Sequence, residues 1–356
     1  YGGQYAPLAF LSYLVLYAGF GYDPFYFHMF SLLLHIGCVC LVWKLISSLL
    51  RVHGGVSEKQ ILYVNFITTL LFAVHPINVE AVAWISALKV LLYAFFYLLG
   101  LLCYLRYIRT SKIFYYVLTI GCFLCSFWGK EQAITFPLAL LIVDWFTNRN
   151  MKNLEVWSEK MSFLIMAFFF GIITVLSQGK GPYEMIFPLY QRLLFGCFAL
   201  VEYITKSLLP VNLNFFYPFP IVLGEEPPLH YYLYPVVLLF LMGWIIAYRN
   251  NRYLVFGVLL FLVNLLFSIH LFNMSRHAIV ADRYMYLSYV GIAFLIANGI
   301  WWLRKRLSYF KAALVFLFFY CFFLSVYTFH YTKKWENTTM VKKYTKEVLE
   351  LSLIHI

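Results

Sequence analysis

Charge is scarce in this sequence. Asp, Glu, Lys and Arg make up 12% of its 356 residues, whereas a soluble domain carries about 25%. With 63% hydrophobic residues and a mean hydropathy of +0.79, the shortage excludes a soluble globular fold, because so much apolar surface cannot all be core. The alternation over about ten residues that marks the strands of a membrane barrel is missing too. Low-complexity tracts and internal repeats are absent. Ligand clusters for a metal are also lacking: Cys122-Phe-Leu-Cys125 has a CxxC spacing, but it lies inside a spanning stretch with no second ligand pair. The seven cysteines, all in apolar stretches, read as core residues.

What the chain has instead is apolar runs of about 15 to 25 residues, the length that crosses a hydrocarbon layer of about 30 Å as a helix. The expected fold is all-α, a polytopic transmembrane helical bundle. Spans are predicted at 25–48, 61–76, 88–106, 113–128, 133–147, 161–177, 232–248, 253–270, 284–303 and 311–329, about ten crossings. Aromatic residues, 21% of the chain, cluster at the ends of these runs, as in Phe25-Tyr26-Phe27 and Trp301-Trp302, where they suit the headgroup layer. The net charge of +12 is scattered through loops. It signals topology and contact with anionic membrane lipid rather than a nucleic-acid partner.

Lys and Arg set the sidedness. The loops bearing Arg51 and Lys59, Arg106 to Lys112, Arg149 to Lys160, Arg249 and Arg252, and Arg304 to Lys311 fall on one side only if 190–209 does not cross. That stretch carries Arg192, Glu202 and Lys206, poor material for the bilayer centre, and is expected to be a re-entrant or interfacial helix on the outer face. The outer segments are then 1–24, 76–88, 128–132, 178–231, 271–284 and 330 onward. The charged stretch 333–350 reads as a soluble helix leaving the membrane, and 351–356 breaks its pattern and is expected to be a non-native tail. Opening at Tyr1, the sequence is expected to lack upstream residues.

Three outer constellations carry chemistry. In 75–89, His75-Pro76 ends a span, and Glu80, Ser86 and Lys89 follow within a mostly apolar stretch. Charge at that depth calls for a partner or a function, and an internal Glu80–Lys89 ion pair is the structural alternative. Trp128-Gly129-Lys130-Glu131-Gln132 places a lysine near a helix start, where a phosphate is well held, although Lys130 and Glu131 also suit interfacial anchoring. Arg276-His277, followed by Asp282-Arg283-Tyr284-Met285-Tyr286, offers a bidentate phosphate ligand beside tyrosine hydroxyls. The alternative there is an Arg283–Asp282 pair within an aromatic belt. His28 and His35, seven apart, read as packing or interhelical hydrogen bonds, and Asp144 as structural. The sequons at Asn273 and Asn337 fall outside and are adequately explained by chance.

Taken in order, these motifs resemble a known family. Gln4-Tyr5-Ala6-Pro7-Leu8 with Leu11-Ser12, His75-Pro76 through Glu80-Ala81-Val82, Lys130-Glu131-Gln132, Pro210-Val211-Asn212-Leu213 with Phe216-Tyr217-Pro218, and Ala281-Asp282-Arg283-Tyr284 with Tyr286-Leu287 are similar to segments of the TMTC-type membrane mannosyltransferases and their bacterial tetratricopeptide-repeat relatives. The resemblance implies a GT-C fold over 1–332 and the start of a helical repeat region at 333–350. It also implies inverting transfer of a sugar from a polyprenyl phosphate to an acceptor, usually a protein hydroxyl, on the periplasmic or lumenal face. No cofactor is implied, since the lipid-linked sugar is a substrate, and no metal ligands are present to suggest one. Lys89, Lys130 and Arg283 are the expected phosphate ligands. His75, Glu80, Glu131, Gln132, Asp282, Tyr284 and Tyr286 are expected to support or orient them. The resemblance puts a first span, and an acidic catalytic loop holding the base, before Tyr1. Two departures, Ala6 for Arg and Leu88-Lys89-Val90 for Arg-Lys-Asp, touch the donor contacts.

Two other classes remain open at this level. Polar residues at a rim also suit a transporter, although transporters place their sites near the midplane. A catalytically inactive scaffold displaying a repeat domain is the other. Short loops favour a bacterial inner membrane, with the endoplasmic reticulum as the eukaryotic counterpart.

Overall fold

Helix boundaries follow local chemistry. Asp23 starts a long helix by accepting a hydrogen bond from the Phe25 N–H at 3.0 Å, with Pro24 in the first turn. Gly54, at φ 76°, ends that helix. Ser57 caps the next one through the Gln60 N–H at 3.2 Å, and Pro76 terminates it. The structure is a computed structural model and describes residues 5–177, 187–270 and 278–353. Arg276, His277, Asn273 and Gln4 lie outside the described residues.

Among the described residues there are fourteen α-helices and no strand. The first seven are α1 (Pro7–Phe20), α2 (Pro24–His53), α3 (Glu58–Val74), α4 (Val79–Ala83), α5 (Leu88–Thr110), α6 (Ile113–Gly129) and α7 (Phe136–Phe146). Then come α8 (Leu154–Ser177), α9 (Leu189–Leu208), α10 (Leu233–Ala247), α11 (Arg252–Leu265), α12 (Met285–Trp302), α13 (Leu307–Lys333) and α14 (Thr338–Leu353). Six helices are long and apolar enough to cross a membrane, namely α2, α5, α8, α10, α12 and α13 with their short extensions. Counting α3 with the segment Pro76–Ala83, bent from it by 51°, gives seven.

Three expected spans are shorter helices than the six long ones. α6 and α11 have 17 and 14 residues, against about 20 for a full span. At 133–147 the helix proper, α7, has only 11 residues, because Glu131–Thr135 coils as a tighter 3-10 turn before it. Within the expected outer segment, α1 is a 14-residue apolar helix, Pro7–Phe20. α14 does not simply leave the membrane domain. It packs back, with Val341 and Tyr344 against the Tyr331 and Trp335 cluster.

Two spans are interior. α5 and α12 each bury 61% of their apolar window, against 6% for α10 and 11% for α13. α5 packs between α2 and α6, and α12 between α3 and α11. Small residues let the backbones approach. At Gly291 a Cβ would meet the Gly257 carbonyl oxygen at 2.5 Å and the Phe261 nitrogen at 2.7 Å, so α11 and α12 cross in near contact, as bilayer helices do where packing drives association. The N-terminal ends of these two interior helices deliver Lys89 and Arg283 to the same rim.

A cationic site at one rim

Residues 75–83 turn sharply back into the bundle. The His75 Nδ1 accepts from the Ile77 N–H at 3.2 Å, its ring lies 4.1 Å from Tyr289, and Asn78 donates to the Phe72 carbonyl at 2.7 Å. His75 is therefore a cap and packing residue. The turn carries Glu80 inward to complete burial. Its carboxylate accepts from the Arg283 backbone N–H at 2.7 Å and from the guanidinium at 2.5 Å. The guanidinium in turn lies over Trp84 at 5.3 Å and Tyr284 at 5.2 Å.

Lys130 reaches the same place from another part of the chain. Gly129 presses against α5, where a Cβ would lie 2.8 Å from the Tyr93 nitrogen, and Ser126 donates to the Tyr93 carbonyl at 2.9 Å. That contact fixes the next residue: Lys130 is buried, with its ammonium 4.6 Å over the Tyr284 ring. Lys89, in the first turn of α5, is within electrostatic reach of Glu131, Arg283 and Tyr284. Three cations therefore gather around one tyrosine ring, with Glu80 and Glu131 as the neighbouring carboxylates.

Neither ion pair expected as a structural alternative forms. Glu80 holds Arg283 rather than Lys89, because the turn at His75 aims it at the start of α12. Asp282 faces away from Arg283 and accepts from the Tyr217 hydroxyl at 3.0 and 3.1 Å. The Asn214 N–H donates to that hydroxyl at 2.7 Å, and the Lys206 ammonium sits 4.5 Å over the ring. Burial, then the Asp282 charge, push the Tyr217 phenol well above its ordinary range, so it keeps its proton and donates. Gln132 donates to the Ser268 hydroxyl at 2.9 Å, and the Tyr286 hydroxyl meets the His35 Nδ1 at 2.7 Å. Both serve packing between elements, and His35 makes the interhelical bond its sequence position suggests.

Trp84, Tyr217 and Lys206 are not among the site residues expected from the sequence. Tyr217 stands in the motif Phe216-Tyr217-Pro218 and Lys206 in the charged stretch 190–209, which are the available signals; for Trp84 the sequence offers none. Trp84 matters because it is also a wall of a cleft of about 750 Å³. Ser86, Phe215, Trp335, Lys342 and Lys346 line the same cleft. Its other wall is thus α14, and Trp84 separates it from Arg283 by one ring.

The opposite end of the bundle is built differently. Tyr104 lies fifteen residues along α5 from Lys89, about 22 Å away. There Asp144 and Lys160 pair, both fully buried, with Arg149 bonding Glu159 at 2.6 Å and Asp144 at 3.2 Å. The bond to Glu159 and the surrounding negative charges raise the Arg149 pKa above its ordinary value. Two cations match two carboxylates, a closed network that suits structure, as read for Asp144.

These features define a helical membrane protein with a cationic site at one rim. The chain is similar to TMTC-type protein O-mannosyl-transferases. It is 33% identical over 160 residues to Protein O-mannosyl-transferase TMTC2 of Homo sapiens, a match covering 43% of this chain and 18% of that protein. It is 29% identical over 184 residues to tmtc2 of Xenopus laevis, covering 49% of this chain and 21% of the relative. Drosophila melanogaster Tmtc3 is 28% identical over 172 residues, covering 43% and 18%. These matches span about a fifth of the length of those curated relatives. No family model and no solved structure matches the chain.

Proposed function

We propose that this chain is the membrane domain of a GT-C-type glycosyltransferase with about ten crossings, which moves a mannosyl unit from a polyprenyl phosphate to a protein hydroxyl. Its supporting observation is the convergence of Lys89, Lys130 and Arg283 around Tyr284. The acceptor oxygen attacks the anomeric carbon and forms the new glycosidic bond as the sugar–phosphate C–O bond breaks. That electron pair stays on the departing polyprenyl phosphate. Inverting transfer of this kind asks for fixed positive charge where the phosphate gains it. Arg283, held at two points by Glu80, presents the rest of its fork for a phosphate, and the lysines add point charge. Glu80 and Asp282 are committed to Arg283 and Tyr217, so the proton of the acceptor hydroxyl passes to a base other than these two.

The site rim is the one opposite the basic loops, so it faces the lumen or periplasm under the charge rule. With relatives in human, frog and fly, the endoplasmic reticulum membrane is the one proposed. The cleft beside Trp84 is the proposed route for substrate to reach Arg283.

The test is transfer from polyprenyl-phosphate mannose by membranes containing the full-length protein with Lys89→Met or Lys130→Met. Each loses one cation without losing its stem. A fall in kcat/KM of about 10²–10³ is expected for removing one charge-stabilising donor. Normal turnover by both would sink the phosphate role of the lysines.

A further inference from the structure

The rim opposite the site holds a second cleft, of about 390 Å³, between α2, α5 and α6. Lys44, Arg106 and Arg109 line it together with Ser47, Ser48 and Tyr115, and no carboxylate does. Among the described residues no ion pair engages any of the three cations, in contrast to the matched network at Asp144 and Lys160. Tyr115 orients one of them: the Arg106 guanidinium lies 5.5 Å over its ring.

Depth and surroundings identify the occupant. Lys44 is twenty residues along α2 from Pro24, about 30 Å at the helical rise, which equals the hydrocarbon thickness. It therefore sits where the far headgroup layer begins. Leu33 and Ile36, 57% and 49% exposed, and the exposed Cys40 precede Lys44 on the same face of α2. An apolar stripe thus runs down to a cleft of three cations that no ion pair among the described residues engages. A single phosphodiester would leave two charges unanswered. We propose that the Lys44–Arg106–Arg109 cleft binds the headgroup of a phospholipid carrying two negative phosphate charges, with one acyl chain along α2. Basic pockets between spans hold such headgroups by paired hydrogen bonds and charge.

The experiment uses full-length protein purified in uncharged detergent, titrated with cardiolipin, phosphatidylglycerol or phosphatidylcholine and read by native mass spectrometry. Cardiolipin is expected to bind saturably, at least about tenfold tighter than phosphatidylglycerol, with phosphatidylcholine weaker still. Salt is expected to weaken it. Arg106→Gln with Arg109→Gln is expected to weaken it at least about tenfold with unchanged detergent melting, whereas Arg304→Gln in another basic loop leaves it unchanged. Equal cardiolipin binding by the double variant, or equal binding of cardiolipin and phosphatidylcholine, overturns the proposal. Displacement of cardiolipin by millimolar inorganic phosphate would assign the cleft to a soluble anion and overturn it as well. None of these readouts depends on sugar transfer.

Discussion

Replacing Arg283 by alanine removes two things at once, and the structure shows how to separate them. Glu80 is completely buried and bonds Arg283 through both its oxygens. Arg283→Ala strips the guanidinium from a buried carboxylate, a loss of about 3–5 kcal/mol when one member of a buried pair is removed. A loss of transfer in that variant would therefore confound folding with chemistry. Glu80→Gln in the same protein removes the stranded charge while its amide oxygen still accepts from the backbone N–H of residue 283. The double variant is expected to recover most of the stability, because exchanging a buried ion pair for neutral groups is near neutral. Transfer should stay down about 10²–10³-fold, the cost of one missing charge-stabilising donor. Detergent melting and mannosyl transfer are measured on parent, both single variants and the double. Recovery of transfer together with stability in the double variant would refute a phosphate role for Arg283 and leave it as a structural partner of Glu80.

Three further outcomes are expected. Gly129→Ala places a methyl 2.8 Å from the Tyr93 backbone nitrogen; it should lower stability by about 1–3 kcal/mol in detergent melting, while Gly121→Ala, with nothing within 4 Å, should not. Tyr217→Phe removes the hydroxyl donor to buried Asp282 and should cost about 1–3 kcal/mol, together with faster proteolysis of residues 209–228; an unchanged melting curve contradicts a holding role for this hydrogen bond. Cysteines at Ser86 and Ser111, both exposed, should react with an impermeant maleimide from opposite sides of sealed vesicles, and labelling from one side would reverse the sidedness of α5.

Hydropathy made the long spans legible because their signal is length and composition, which survive without knowing any partner. It failed where polar groups are satisfied inside the bundle. Residues 133–147 looked like one span, yet Gln132 and Thr135 bond locally and to Ser268 and wind the start into a tight turn. At the site, charge at membrane depth marked Glu80, Lys89, Lys130 and Arg283 as unusual. Pairing was not legible, because Glu80 meets a residue 203 positions away and nearest-neighbour logic offers Lys89 or Asp282 instead. Tyr286 shows the converse: it stood in a promising motif, but one helical step turns its hydroxyl to His35.

The Glu80–Arg283 bond also bears on how the protein is made. A chain entering the membrane from its N-terminal side commits Glu80 to an apolar turn long before residue 283 is synthesised. Until then the carboxylate lacks the cation it meets in the finished bundle, and burying it alone is costly, which holds the 75–89 turn open. Arrival of α12 neutralises it, draws in Tyr284 and seats the ring on which Lys130 rests. The rim therefore becomes competent only when both halves of the bundle have been inserted and docked. A chain that stops before α12 leaves Glu80 without the partner that occupies it in the complete bundle.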